Sequence, residues 1–315
     1  LIYRFSARKT LAHYAQAKNI TPEWERANDS HKNIGRWVLG FLGLLAAVVV
    51  LVATGIMPFN PEQVVTYMTY IIAAVVIGYF AILFVLPKFD KTDKLRLLIC
   101  FILIIGSTLF WSSFEQQPTS FNLFADNYTD LDVLGFQVPS IWFQSLNPLF
   151  ILLLAPIVSI IWVKLGNRGV EPSSMVKFAL GMLLAAAGFG LMILASKSIL
   201  TNEGGLASPL WLVGSLLLLT LGELALSPVG LSSMTKLAPK GMQGQMMGLF
   251  FASLAMGNLV AAFFGGYVSA DKIEGLPGLF TTMTIFLVVT AVILLLLAKP
   301  INTMLKKSEQ ADAKV

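Results

Sequence analysis

The sequence predicts an all-α membrane protein with eight transmembrane helices. Of its 315 residues, 56% are hydrophobic and only 12% are charged, about half the charged fraction of soluble domains. Eight apolar runs are each long enough to cross the ~30 Å hydrocarbon core as a helix, and they far exceed the ~9–11 residues of a membrane strand. The runs cover approximately residues 37–57, 64–86, 97–114, 140–163, 174–196, 209–231, 246–269 and 279–298.

The charges between the runs predict how the helices are oriented. All but two of the 22 lysines and arginines fall in alternate polar segments, beginning with the N-terminal one. Because basic residues mark cytoplasmic loops, we expect a multi-pass protein of the plasma membrane with both ends of this chain cytoplasmic. An even number of spans agrees with this. The acidic segment 115–139 has no basic residue and is expected to be a solvated exterior loop.

The composition argues against several classes of protein. Cys100 is the single cysteine and lies in an apolar run, so neither a disulfide framework nor thiol redox chemistry is expected. His13 and His31 both lie in the polar N-terminal stretch, so we expect no metal ion or other cofactor in the membrane. The basic residues flank the spans, so nucleic acid is not an expected partner. No HExxH, Walker or GxGxxG motif occurs in a suitable context, so no enzyme is expected.

The N-terminal stretch, residues 1–36, is polar and mixed in charge. It begins with Leu1 rather than methionine, and Leu-Ile-Tyr runs directly into basic residues. An apolar tail followed by basic residues is typical of the cytoplasmic end of an earlier span and not of a signal peptide. We therefore expect a cytoplasmic connector whose preceding N-terminal part is missing.

One carboxylate, Glu223, lies near the centre of the sixth run. An ionisable residue there costs about 2.5–3.5 kcal/mol on insertion scales and is a functional hypothesis by default. Ser227 follows one turn later on the same face, and Pro228 removes a helical donor, which predicts a helix break. No Lys or Arg lies near the middle of any run. Glu223 is therefore either protonated when buried or paired with a cation outside this chain, and both options fit proton-coupled chemistry.

The third run ends in an aromatic and acidic face. Trp111, Phe114 and Glu115 are spaced i, i+3 and i+4, which places them on one side of a helix. An aromatic wall beside a carboxylate suits a partly apolar ligand with a cationic group. The alternative is an interfacial tryptophan with a carboxylate that simply lies in water.

Polar residues also interrupt the fourth and seventh runs. Gln144, Asn147 and Pro148 combine two amides with a second predicted helix break, and the alternative is hydrogen bonding between helices. Asn258 is the only strongly polar residue of the seventh run apart from serine. Interrupted helices with polar groups at membrane depth are typical of a secondary transporter site.

Four motifs occur in order along the chain: FWSSFEQQ at 110–117, SLNP at 145–148, GELALSPVGLSSMTKLAP at 222–239 and the MGxFF…AxGN pattern at 247–258. Together they resemble the proton-dependent oligopeptide transporter family, a branch of the major facilitator superfamily. The resemblance implies proton-coupled symport of di- and tripeptides across the plasma membrane of a bacterium by alternating access.

The resemblance also implies how the chain is divided. Residues 1–36 would be a connector after a missing N-terminal six-helix bundle, and 37–90 would form two linker helices. Residues 91–304 would form the C-terminal six-helix bundle of a major facilitator fold, with 305–315 as a cytoplasmic tail. The implied partners are short peptides, protons, the lipid bilayer and the missing bundle, which would supply basic residues to the site.

Carried over position by position, the resemblance implies a peptide site. Trp111 and Phe114 would line a pocket for peptide side chains, and Asn147 with Glu223 would receive the peptide amino terminus. Glu115 and Glu223 would couple transport to protons, with Glu115 paired to an arginine of the missing bundle. The other implied substrate-binding residues are Ser227, which would support Glu223, Asn258, which keeps the family pattern, and Phe250, where the family usually has tryptophan.

Two alternatives remain open. A major facilitator transporter for nitrate, a drug or a sugar would share the fold. A membrane subunit of an ion-translocating complex would usually carry Lys or His in mid-span, and these runs carry none there.

Overall fold

The computed structural model describes residues 39–312, apart from 45, 49, 53, 56–59, 88, 134, 171, 202–204, 240 and 266–272. The predicted connector and the last residues of the predicted tail lie outside the described part. The chain divides into two units, Leu1–Val64 and Val65–Val315. In the first unit the structure describes a short apolar helix, α1 (Leu39–Val52), and the start of the next helix.

The second unit consists mainly of long apolar helices. The helices after α1 are α2 (Pro61–Val85), α3 (Lys91–Phe114), α4 (Asn122–Tyr128), α5 (Leu146–Asn167), α6 (Ser174–Thr201), α7 (Leu210–Leu237), α8 (Gln243–Gly265) and α9 (Gly275–Asp312). Apart from the short α4, each is long and apolar enough to cross a membrane. Seven of the eight predicted spans are therefore confirmed within the described residues, and the first corresponds to the shorter α1. Since α9 continues to Asp312, the predicted tail begins as helix.

Helices α6 and α7 approach each other through glycines. A Cβ on Gly222 would lie 2.6 Å from the carbonyl oxygen of Gly181, so only glycine lets the two backbones meet here. Farther along the interface, Ser215 Oγ donates to the carbonyl of Gly188 at 2.8 Å. Because lipid tails are as apolar as the helices, small residues and interhelical hydrogen bonds hold such pairs together. The glycine contact also determines how α7 is rotated about its axis.

Helix α8 packs against α3 in a similar way. Gly257 lies so close to the Cβ of Trp111 that an added Cβ would clash with it. Ser253 Oγ donates to Ser107 Oγ at 2.8 Å within the same interface. This packing brings the second half of α8 beside the aromatic end of α3.

The two ends of the second unit differ in charge. We name the end at which α3 begins and α7 ends the basic end, and the opposite end the acidic end. The described basic residues at the basic end include Lys91, Lys94, Arg96, Lys164, Arg168, Lys177 and Lys236.

The segment 115–139 at the acidic end is folded, and the prediction of a solvated loop is wrong. It contains a π-helical turn (Gln117–Phe121), the helix α4 and two short antiparallel strands, β1 (Asp132–Val133) and β2 (Phe136–Gln137). Phe124 is fully buried, and Phe121 packs edge-on against Phe280 of α9 with ring centroids 5.6 Å apart. The aromatic residues of this segment therefore anchor it to the bundle although its aspartates are exposed.

Neither predicted helix break interrupts its helix, which corrects both predictions. Helix α7 continues on both sides of Pro228, so the proline removes a single hydrogen bond without ending the helix. Pro148 lies in the first turn of α5, where a missing N–H costs least. The change in backbone structure comes earlier, at a 3-10 helix (Ser140–Ser145) that leads into α5.

Candidate functional site

The site is built around Glu223, which directly follows the glycine that contacts α6. Successive helical residues are turned by about 100°. With Gly222 held against α6, the side chain of Glu223 is turned away from that interface, and Asn147 of α5 contacts it. The side chain is only partly exposed.

Asn147 links α5 to α7 through two hydrogen bonds. Its Nδ2 donates to Glu223 Oε2 and to Thr220 Oγ1, both at 3.1 Å. Thr220 Oγ1 donates in turn to the carbonyl of Leu216 at 2.7 Å, so its oxygen presents lone pairs to Asn147. This network orients the amide with Nδ2 toward α7. Asn147 Oδ1 and the second carboxylate oxygen of Glu223 are not used by these bonds and can accept from a ligand.

The predicted aromatic face lies at the end of α3. The rings of Trp111 and Phe114 meet at 5.1 Å with an interplanar angle of 71°, and Phe110, which is fully buried, stacks on Phe114 at 5.6 Å. Trp111 Nε1 is buried and has no hydrogen-bond partner among the described residues. The aromatic wall therefore carries one donor that the described part of the chain does not satisfy.

Two carboxylates occupy the same region. Glu115 caps the end of α3, where its backbone N–H donates to the carbonyl of Trp111 at 2.9 Å. Glu115 and Glu223 are near enough for their negative charges to interact. The ion pair between described side chains lies elsewhere, between Arg96 and Asp93 at 3.9 Å. Within the described residues, the two glutamates are therefore not compensated by a salt bridge.

The two predicted site residues on α8 differ in exposure. Asn258 is exposed and directly follows Gly257, which packs on Trp111. Phe250 is only 3% exposed, and its ring lies against the Cα of Gly230 on α7. Phe250 thus packs inside the bundle in this structure instead of lining an open pocket.

Ser227 does not contact Glu223 through a hydrogen bond. Its Oγ is buried and has no partner among the described residues. The carboxylate of Glu223 is instead oriented by Asn147, which is itself held by Thr220. The predicted support from Ser227 is therefore absent from this conformation.

Sequence reasoning missed two polar residues of the site region. Thr220 precedes Glu223 by three residues, so the sequence could have predicted that both lie on the same helical face. Gln116 is fully buried, and its Nε2 donates to the carbonyl of Ala261 on α8 at 3.3 Å. No local pattern predicts that contact, because it joins residues far apart in the chain.

Comparison with known proteins places the chain among transporters. A family model described as PTR2, POT family, matches residues 36–281. The peptide transporter YePEPT of Yersinia enterocolitica is 45% identical over 98% of this chain. The uncharacterized transporter YclF of Bacillus subtilis is 38% identical over 85%, and dipeptide and tripeptide permease B of Salmonella typhimurium is 31% identical over 69%. The chain spans 60%, 52% and 46% of these three proteins.

Solved structures agree with this comparison. A glutamate-to-glutamine mutant of a peptide transporter POT in complex with alafosfalin has a TM-score of 0.74 and 34% identity over 86% of this chain. A POT family transporter in complex with 5-aminolevulinic acid has a TM-score of 0.73 and 28% identity over 86%. The chain covers 53% and 55% of these two structures.

Proposed function

This chain belongs to the POT family of membrane transporters, and we propose that it is the C-terminal part of a proton-coupled symporter of di- and tripeptides. In this proposal residues 37–90 are two linker spans and 91–304 are the C-terminal bundle. An N-terminal bundle outside this sequence provides the other half of the transport path. The names of the relatives describe transporters and permeases of peptides, which supports this substrate class.

The observation that carries the proposal is the contact between Asn147 and Glu223. The bonds from Asn147 Nδ2 to Thr220 Oγ1 and Glu223 Oε2 leave two acceptors, the second carboxylate oxygen of Glu223 and Asn147 Oδ1. An ammonium has three donors and no acceptor, so the amino terminus of a peptide matches this pair. A charge-assisted hydrogen bond to the carboxylate would be roughly twice as strong as a neutral one.

The aromatic end of α3 would recognise the rest of the peptide. Trp111 and Phe114 offer ring faces to side chains of varied shape. Asn258, exposed beside this wall, would add a polar contact, whereas Phe250 and Ser227 would act through packing.

Proton coupling would use the two glutamates. Two negative charges in a water-poor site favour a proton or a cation between them. Basic residues of the N-terminal bundle would pair with Glu115 in one state, and protonation would break that pair and let the bundles rock. One proton that crosses ~100 mV supplies about 2.3 kcal/mol, enough for roughly a fiftyfold peptide gradient.

The proposed orientation follows the charges. With the basic end in the cytoplasm, both ends of this chain would be cytoplasmic in a bacterial plasma membrane. Helix α7 would then run from outside to inside, with Glu223 near mid-depth.

Uptake into proteoliposomes tests the proposal on the full-length protein. An inward proton gradient should drive uptake of labelled Ala-Ala, and unlabelled Ala-Ala but not free alanine should compete. Competition by 5-aminolevulinic acid, which has no peptide bond but a longer distance between its ammonium and carboxylate than alanine, would show that the spacing of the charged ends and not the peptide bond dominates recognition. Uptake that does not depend on the proton gradient would contradict symport. Competition by free alanine as strong as that by Ala-Ala would contradict peptide transport and favour another small solute.

A further inference from the structure

The end of α3 is held by one buried amide, the side chain of Gln116. Helix α3 ends at Phe114, and Glu115 is the residue that caps it. Gln116 is fully buried, and its carbonyl oxygen accepts a hydrogen bond of 3.0 Å from the N–H of Phe121 across the π-helical turn. Short π-helical segments are frequent at functional sites, and this one begins two residues after Glu115.

The side chain of Gln116 uses all of its hydrogen-bonding capacity. Its Nε2 donates to the carbonyl oxygen of Ser112 at 3.4 Å and to that of Ala261 on α8 at 3.3 Å. Its Oε1 accepts from Ser120 Oγ at 2.7 Å and from Thr119 Oγ1 at 3.3 Å. Because a carbonyl oxygen can only accept, the two carbonyls determine which way the amide points. A buried network in which every group is paired makes the surrounding structure rigid.

The bond to Ala261 extends the α3–α8 interface beyond the helical part of α3. Ser253, Gly257 and Ala261 are spaced four residues apart on α8, so they lie on one face of that helix. Ser253 and Gly257 pack against residues within α3, whereas Ala261 contacts Gln116, which follows the cap. The end of α3 therefore cannot move away from α8 without leaving buried polar groups unpaired, which is costly.

The position of Glu115 depends on this attachment. Its backbone N–H donates to the carbonyl of Trp111 at 2.9 Å, and the residue that follows it is the one bonded to α8. The side chain of Glu115 therefore extends from a backbone that is restrained on both sides. Proton transfer needs heavy atoms about 2.6–3.2 Å apart, and a misplacement of about 1 Å can reduce a rate by about a hundredfold.

We propose that Gln116 is a positioning residue for proton coupling, which holds Glu115 and the end of α3 in a fixed place relative to α8. This inference rests on the proposed role of Glu115 as a proton site. Because its side chain is fully buried, Gln116 acts through the backbone of Glu115 and not on the peptide. Asn147 and Glu223 are held by other contacts. Loss of the amide should therefore impair coupling more than peptide binding.

Two transport assays on the full-length protein in proteoliposomes separate these effects. Uptake of labelled Ala-Ala driven by an inward proton gradient measures coupling. Exchange of labelled for internal unlabelled Ala-Ala without a gradient measures binding and alternating access. The test variant is Q116M, which keeps the approximate length of the side chain and removes its hydrogen bonds. Q117M is the matched control, because Gln117 is also buried but its Nε2 has no partner among the described residues.

Q116M should reduce gradient-driven uptake about tenfold and change exchange less than about twofold, whereas Q117M should match the wild type in both assays. E115Q is the reference for complete loss of coupling: it should abolish gradient-driven uptake while exchange continues. Equal reductions of both activities in Q116M would mean a structural role alone and would overturn the proposal. Wild-type uptake by Q116M, or the same defect in Q117M, would also overturn it.

A second variant, S120A, decides the question if Q116M does not fold. It removes the shortest bond to Gln116 Oε1 and leaves the bond to α8 in place. Gradient-driven uptake should fall about threefold while exchange is unchanged, and uptake at the wild-type rate would overturn the proposal.

Failure of the proposed function would give a different result. The wild type would then show no gradient-driven uptake, or E115Q would take up Ala-Ala at the wild-type rate. Either result would contradict the proton role of Glu115 and, with it, the role of Gln116. Loss of uptake in E115Q together with wild-type behaviour of Q116M would overturn the positioning role alone.

Discussion

Asn147 on α5 and Glu223 on α7 share a hydrogen bond of 3.1 Å from Nδ2 to Oε2. None of the described residues of α5 is fully buried, so its apolar packing on the bundle is limited. The polar contact with α7 is therefore an important attachment of α5. A change in the charge or ligand of Glu223 would act directly on α5 through this bond.

Replacing Glu223 by glutamine should abolish proton-driven uptake of a dipeptide. The amide keeps the size of the side chain but can neither exchange a proton nor offer a negative charge to an ammonium. Uptake of labelled Ala-Ala into proteoliposomes with a proton gradient provides the measurement. The control is E274Q, because Glu274 is exposed in the turn before α9. Gradient-driven uptake by E223Q at the wild-type rate would contradict the proposed role.

Replacing Thr220 by valine should raise the KM for dipeptides about tenfold. The variant keeps the branched shape but removes the oxygen that receives Asn147 Nδ2, so the amide can turn and lose its alignment with Glu223. A lost hydrogen bond of this kind corresponds to about 1.4 kcal/mol. T220S should restore the wild-type KM, since serine retains the hydroxyl. If T220V and T220S have the same KM, the hydroxyl has no positioning role.

Replacing Gly222 by alanine should destabilise the protein by about 1–3 kcal/mol. The new Cβ would lie 2.6 Å from the carbonyl oxygen of Gly181, so α6 and α7 must separate. G190A is the matched control, because Gly190 lies on α6 with no atom within 4 Å of an added Cβ. Thermal unfolding in detergent should show a lower midpoint for G222A alone. Equal midpoints for the two variants would mean that the glycine contact does not limit the approach of the helices.

Replacing Phe250 by alanine should destabilise the bundle by about 3 kcal/mol, because the buried ring leaves a cavity against Gly230. The neighbouring Phe251 is 53% exposed, so F251A should change stability far less. Thermal unfolding of both variants provides the comparison. A larger effect of F250A on the KM than on the unfolding midpoint would instead favour the pocket-wall role predicted from the sequence.

Most of the fold could be predicted from local features of the chain. The length and polarity of each apolar run predict a spanning helix whatever its neighbours, and seven of the eight are confirmed within the described residues. The segment 115–139 was predicted wrongly because its aspartates and its lack of basic residues indicated a solvated loop. Its folding depends on the burial of Phe124 and on Phe121, whose partner Phe280 on α9 is far away in the sequence.

The sequence alone was enough to identify a helical membrane protein, an energetically costly carboxylate at Glu223 and candidate polar partners for it in the third and fourth runs. Those conclusions rest on composition and helical periodicity, which are local. The contact between Asn147 and Glu223, 76 positions apart, and the burial of Phe250 are visible only in the folded chain. Such contacts depend on the rotation and axial register of each helix. Close packing at Gly181 and Gly222 sets both for α6 and α7.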